Sequence, residues 1–319
     1  MTTDAPLPPR MEAAHGIPVA NALRKSRRRW RVLAVLALIV AILAIAGRFA
    51  AQNAGGDHIA RIEVVDTIAT DPVRLRALVD AGNDPKVKAV IIAINSPGGT
   101  TAGGEELYEA LAVLRAQKPV VAVIKELGAS AAYMTAIGAD RIYARRLSIV
   151  GSIGVLYQHV NAGKLLDTIG LDFDKVATGP LKAEPDFDEP IGPEVRRSIE
   201  ALVGDSFDWF VDVVAERRGL TRAQTLALAD GRILTGRQGI DSKLIDAIGG
   251  EAEAIAWLEA DKGIAPDLPV TTHFPLPEEG FDWVATFLGG QARSALGLPR
   301  SGPIMLDGLV SLWQVEPSL

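Results

Sequence analysis

The chain has 319 residues, 48% of them hydrophobic, 5% aromatic and none of them cysteine, and carries a formal net charge of −6. That apolar share excludes a collagenous or wholly disordered chain, and the lack of cysteine excludes disulfide scaffolds, thiol nucleophiles and thiolate metal sites. The charge is unevenly placed: residues 1–31 hold seven basic side chains against Asp4 and Glu12, a net +5, which leaves −11 on everything that follows.

Residues 1–29, rich in Pro, Ala and charge but without periodicity, read as a disordered basic tail. Val32 to Gly47 is then an unbroken uncharged, almost wholly aliphatic run. Trp30 at one end and a snorkelling Arg48 at the other extend it over residues 30–51, near the about 20 apolar residues that cross a bilayer. This predicts an N-terminal transmembrane helix acting as a signal-anchor. The basic side stays in the cytoplasm, and the body is sent to the extracytoplasmic (periplasmic) face of the inner membrane. The same topology excludes nucleic acid as a partner of the tail. A cleaved signal peptide ending near Ala44-Ile45-Ala46 is the alternative.

Residues 52–57 form a short polar linker. From His58 onward, aliphatic runs alternate with amphipathic segments. Strands are predicted at Ile59–Val65, Ala89–Ile94, Val120–Ile124 and Arg141–Tyr143, with helices at Pro72–Asp80, Gly104–Ala116 and Ser130–Gly138. That alternation argues for βαβ units and a largely parallel sheet, the α/β class. Further on, the pattern predicts a short helix at Leu165–Ile169, a strand at Phe173–Ala177 and a Pro- and acid-rich loop from Pro180 to Pro193. A long helix over Glu194–Arg218 is stopped at Gly219, another follows Thr221, and a last one covers Glu251–Asp261. One domain over residues 58–270 and a C-terminal extension over 271–319 is the simplest division. The apolar stretches Val284–Leu288 and Met305–Trp313 of that extension are suited to packing on a neighbour or lying on the bilayer.

Loops at the carboxyl ends of parallel strands are where α/β sheets bind ligands. Asn95-Ser96-Pro97-Gly98-Gly99 is one such loop, and its glycines permit positive φ and close approach of backbone N–H groups to a developing negative charge. A phosphate loop would carry Lys after the glycines; here Thr100 and Thr101 follow, which disfavours a nucleotide. Ser130, within Gly128-Ala129-Ser130-Ala131-Ala132, is the second candidate. Small neighbours at a strand-to-helix turn suit a nucleophile, whereas the bland reading makes Ser130 a helix cap. For a base there is His159, or a lysine whose pKa falls on burial. Lys182, in Thr178-Gly179-Pro180-Leu181-Lys182-Ala183, stands in a small-residue setting, although a lone loop lysine is ordinarily solvated.

Five blocks in order then make a pattern: Asn95–Gly99; Ala129-Ser130 through Ala144; Gly151-Ser152-Ile153-Gly154-Val155; Gly179–Lys182; and Gly231-Arg232-Ile233-Leu234-Thr235-Gly236-Arg237-Gln238. From about Ile59 to Leu258 the chain resembles the signal peptide peptidase A (SppA) family of membrane-anchored serine proteases, in its short single-repeat bacterial form. The resemblance implies a crotonase-like (Clp protease-like) ββα spiral, with Ser130 as nucleophile and Lys182 as general base. It also implies an oxyanion hole at Gly98, Gly99 and Ala131, and a Ser152 that orients the lysine. A Ser–Lys dyad is an established variant of the catalytic triad and needs neither cofactor nor metal. The implied substrates are remnant signal peptides and other short apolar peptides beside a lipid bilayer. The implied assembly is a ring-like homo-oligomer with Ser130 and Lys182 coming from neighbouring subunits. One departure is Ala131-Ala132, where family members commonly have Gly-Gly; two added methyls are expected to narrow the cleft or alter the turn. The alternatives are a Clp-type Ser–His protease using His159, a non-catalytic peptide-binding membrane scaffold, and, more remotely, a crotonase acting on acyl-CoA. Asp186, Asp188 and Glu189 are read as a solvated acidic loop, not an ion site.

Overall fold

Strands read from aliphatic runs become the centre of a parallel sheet. In the computed structural model, residues 30–31, 33–43, 56–275 and 310–312 are described, the last three by backbone alone. The chain divides into two units, Met1–Gly56 and Asp57–Leu319. In the first, residues 30–31 and 33–43 are helical (α1) with exposed side chains. Among the described residues no helix is long and apolar enough to cross a membrane. The expected tail (1–29), the end of the expected span (44–51) and most of the linker (52–55) lie outside the described residues.

The second unit carries β1 (His58–Val65), β2 (Val87–Ser96) and β4 (Val120–Ala129), parallel neighbours in a sheet ordered β7-β6-β4-β2-β1-β9. β2 is aliphatic along almost its whole length because both faces are covered, as in parallel sheets generally. Its alternation sends Val90, Ile92 and Ile94 to one core layer and Ala89 and Ile91 to the other. The first layer is closed by α2 (Pro72–Asn83), α3 (Thr101–Arg115) and α4 (Ala131–Ala136), the second by α9 (Glu251–Lys262) through Ala254 and Leu258. Helix starts follow ordinary capping chemistry. Asp71 accepts from the N–H of Val73 and Arg74 ahead of α2, and Thr100 from Gly103 ahead of α3.

β4 divides its partners, and this division builds the site. Its first half (Val121–Ile124) pairs with β5 (Arg141–Ala144), while its second half (Leu127–Ala129) pairs with β6 (Ile149–Gly151). The strand therefore leaves its neighbour β5 and carries Ser130 out beside β6. A second restraint comes from Tyr133 on α4, fully buried, whose hydroxyl donates to the Leu244 carbonyl at 2.8 Å.

The remaining elements are α5 (Gly163–Ile169), α6 (Pro193–Arg218), α7 (Arg222–Leu228), β7 (Ile233–Thr235), α8 (Gly236–Asp241), β8 (Ala247–Ile248) and β9 (Val270–Phe274). The expected strand at Phe173–Ala177 does not form. Those residues are irregular, Phe173 packs edge-on to Phe187 with ring centroids 5.1 Å apart, and Val176 is 100% exposed. A short segment with apolar ends makes a strand only where a sheet edge receives it, and none does here. Conversely, β9 starts at the expected domain limit, residue 270, and runs on past it, pairing with the outer edge of β1.

The β1–β9 seam carries a histidine pair, His58 Nε2 to His273 Nε2 at 2.9 Å. Burial first, and the neighbouring His58 second, push the His273 pKa below its ordinary 6.5. The folded state therefore binds fewer protons than the unfolded one. The seam's contribution is full above about pH 6.5 and is lost as pH falls through that value toward the depressed one. Urea midpoints should drop between pH 7 and pH 5.5, and His273→Gln should flatten that slope; equal slopes in both proteins would refute the assignment.

Candidate active site

Ser130 ends β4 with φ 59° and ψ −121°, a conformation an L-residue adopts only under constraint. Two neighbours impose it. The Ser130 N–H donates to the Gly151 carbonyl of β6 at 2.8 Å, and the Ser130 carbonyl accepts from Met134 N–H at 2.9 Å to start α4. Ser130 is the N-cap residue of α4 through its backbone, but its hydroxyl makes no capping hydrogen bond to that helix. Ser152, one residue past β6, is likewise at positive φ (52°), with its N–H fixed to the Arg232 carbonyl at 2.8 Å. Ser130 and Ser152 thus sit at the ends of paired strands and line the same cavity of about 920 Å³.

Beside Ser130 runs β3 (Gly98–Thr100). Ile68 donates to the Gly98 carbonyl and accepts from Thr100 N–H, both at 2.8 Å. By strand alternation, the N–H and C=O of Gly99 face the other edge. Gly99 is required sterically, since a Cβ there would lie 1.8 Å from the Ile68 carbonyl oxygen. Along that other edge runs β10 (Val310–Leu312), antiparallel, with Ser311 opposite Gly99 and Leu312 opposite Gly98. This piece of the expected Met305–Trp313 stretch therefore pairs within its own chain. Residues 276–309 and 313–319, including Val284–Leu288, lie outside the described residues.

The cavity has an apolar wall of Val155, Ile199, Val203 and Phe207, with Arg196, Glu200 and Asp230 as its charged members. Asp230 is unsuited to serve as a base. Two hydrogen bonds from Arg232, at 2.7 and 2.5 Å, hold its carboxyl down at about 2. Among the described residues, no lysine or histidine lines the cavity.

A model of peptidase family S49 matches residues 112–265. A Synechocystis chain named as a candidate protease is 37% identical over 211 residues, covering 66% of this chain and 76% of that one. The chloroplastic serine protease SPPA of Arabidopsis thaliana is 31% identical over 229 residues, 70% of this chain and 33% of the relative. The chain belongs to peptidase family S49. It is an SppA-type serine protease, and the scaffold and acyl-CoA readings give way to that. Among solved structures, a ClpP1 mutant from Listeria monocytogenes shares 15% identity at a TM-score of 0.42, over 60% of this chain and 92% of that one.

In this S49 chain Ser130, Ala131, Ser152, Gly98 and Gly99 lie on connected strands and turns, but Lys182 does not join Ser130 at the cavity. It is exposed, in a turn closed by its own N–H to the Gly179 carbonyl at 3.1 Å. His159 is also elsewhere, with Nε2 3.0 Å from the Glu189 carbonyl. The acidic loop is more organised than its composition suggests. Glu184, Asp186 and Glu189 bring their carboxylates within 4.8 Å of one another. Lys175 pairs with Asp186 and, at 2.6 Å, with Glu184, and these bonds hold its pKa above the ordinary lysine value.

The Ala131-Ala132 departure resolves differently from expectation. Both residues are fully buried in the core beneath the turn and neither lines the cavity. The room comes from α3, where Gly104 faces Ala131. A Cβ on Gly104 would lie 3.0 Å from the Ala131 methyl and 2.7 Å from Met134 Sδ. The methyls fill space below the turn and leave the cleft open. Sequence reading missed α6 as a cavity wall; its apolar positions at Ile199, Val203 and Phe207, spaced by four, are the signal that could have found it.

Proposed function

We propose that the protein is an endopeptidase whose nucleophile is Ser130 and whose general base is Lys182 of a second copy. The observation that carries this reading is a cavity furnished with a constrained serine but, among the described residues, with no lysine or histidine from its own chain. Lys182 lies on a stretch that exposes Leu156, Val160, Leu165, Ile169, Leu171, Phe173, Val176, Leu181 and Phe187. So many exposed large apolar side chains on one stretch mark an interaction surface, and a repeating head-to-tail contact closes into a ring.

A substrate lies extended along Gly98–Thr100 with its scissile carbonyl at Ser130 Oγ. The N–H groups of Gly99 and Ala131 receive the oxyanion. Lys182 takes the Ser130 proton as the acyl–oxygen bond forms and passes it to the departing amine. Water then cleaves the ester with the same lysine as base. Ser152, which lines the same cavity as Ser130, would hold the amine in line.

The apolar wall suits short hydrophobic peptides, remnant signal peptides among them. The apolar run at residues 30–51, behind a basic tail, would anchor the enzyme in the inner membrane with its catalytic body outside the cytoplasm. Full-length protein assayed on a synthetic signal peptide in detergent tests the base: Lys182→Ala should abolish cleavage and His159→Ala should leave it near wild type. The reverse outcome would establish a Ser–His protease instead.

A further inference from the structure

Gly204 stands inside α6, a 26-residue helix, where glycine costs about 1 kcal/mol relative to alanine. A helix tolerates that cost for a recognisable reason, and two common ones are absent. Gly204 is not among the positive-φ residues, and an ideal Cβ built on it meets no atom within 4 Å. It does line the Ser130 cavity, on the same helix face as Ile199, Val203 and Phe207. The second half of α6 is anchored in the core by Phe210, Val211, Val213 and Val214. The cavity wall therefore hangs from a fixed helix, and a side chain at position 204 would extend into the space that opens onto Ser130.

We propose that Gly204 is a specificity-determining residue: its missing side chain leaves room for a bulky apolar residue on the acyl side of the scissile bond. This rests on the proposed peptidase reading for its biological sense, but the pocket can be tested without catalysis. A methyl or isobutyl group at position 204 would fill that room while improving helix propensity. Preference would then move from Phe and Leu toward Ala, with no loss of fold. One methylene in an apolar pocket changes discrimination by about tenfold or more, so an isobutyl group should be decisive.

The test uses the full-length chain in detergent, as Ser130→Ala, Ser130→Ala/Gly204→Ala and Ser130→Ala/Gly204→Leu. Binding of three fluorescent peptides that differ only in a Phe, Leu or Ala at the acyl position is measured by anisotropy. Thermal midpoint and oligomeric state are measured alongside. The expected result is a Phe-over-Ala preference that falls about tenfold or more with Leu at 204 and by a smaller step with Ala, at an unchanged or higher midpoint. An unchanged preference overturns the proposal. So does a uniform loss for all three peptides or a broken oligomer, which would make Gly204 a packing surface for a second copy. The same substitutions in the Ser130 protein give the kcat and KM split, where the Phe-over-Ala ratio of kcat/KM should shift likewise. Absence of Ser130-dependent cleavage there would defeat the peptidase mechanism and leave the binding result to judge Gly204.

Discussion

Ser130→Ala should lose peptidase activity by a factor on the order of 10⁴ or more while the protein still folds. The expectation combines two observations: the hydroxyl makes no capping hydrogen bond to α4, and main-chain bonds to Gly151 and from Met134 hold the backbone at φ 59°. Ser130→Gly separates the two roles of the position. It should be equally inactive, yet more stable than Ser130→Ala by about 1 kcal/mol, because glycine accepts positive φ without steric penalty. Hydrolysis of a quenched peptide and urea unfolding of the three proteins provide the measurement. Residual cleavage within tenfold of wild type in Ser130→Ala would exclude this serine as the nucleophile.

Ser130→Ala and Lys182→Ala, each inactive alone, should restore activity when co-expressed. In a mixed ring, a subunit that keeps Ser130 meets a neighbour that keeps Lys182 at about a quarter of the junctions, so recovery should approach about a quarter of wild-type specific activity. Dyads formed within one chain would give none, however thorough the mixing. Mass measurement of intact oligomers verifies that mixed rings exist, and silence in verified mixed rings would overturn the shared site.

The parts of this architecture written in side-chain pattern were legible before any coordinates. The runs at Ala89–Ile94 and Val120–Ile124 are aliphatic because they are covered on both faces, Ile59–Val65 alternates because Arg61 and Glu63 face ion-pair partners, and the three stand as β2, β4 and β1. Gly219 ends α6 in a left-handed cap, as its place in the sequence indicates. Elements held mainly by backbone pairing were not legible: β6, β7 and β8 have two or three residues each, too few for any period to register. Phe173–Ala177 misled for the opposite reason, a short segment with apolar ends and no edge to join. In the site, Ser130, Ser152 and the glycines of β3 could be named from small-residue motifs. The consequence of Ala131-Ala132 could not, because it depends on Gly104, which comes close only through the packing of α3 on α4.

The pairing of Val310–Leu312 with Gly98–Thr100 has a consequence for the exposed backbone beside the nucleophile. A strand edge with open N–H and C=O groups is a template for any extended chain, and proteins blunt such edges to avoid sticking to one another. Here the property that would let the edge grip a peptide is also its hazard, and the covering comes from the same polypeptide, more than two hundred residues farther along. An arriving peptide does not meet bare backbone. It must take that edge from a strand that is already home.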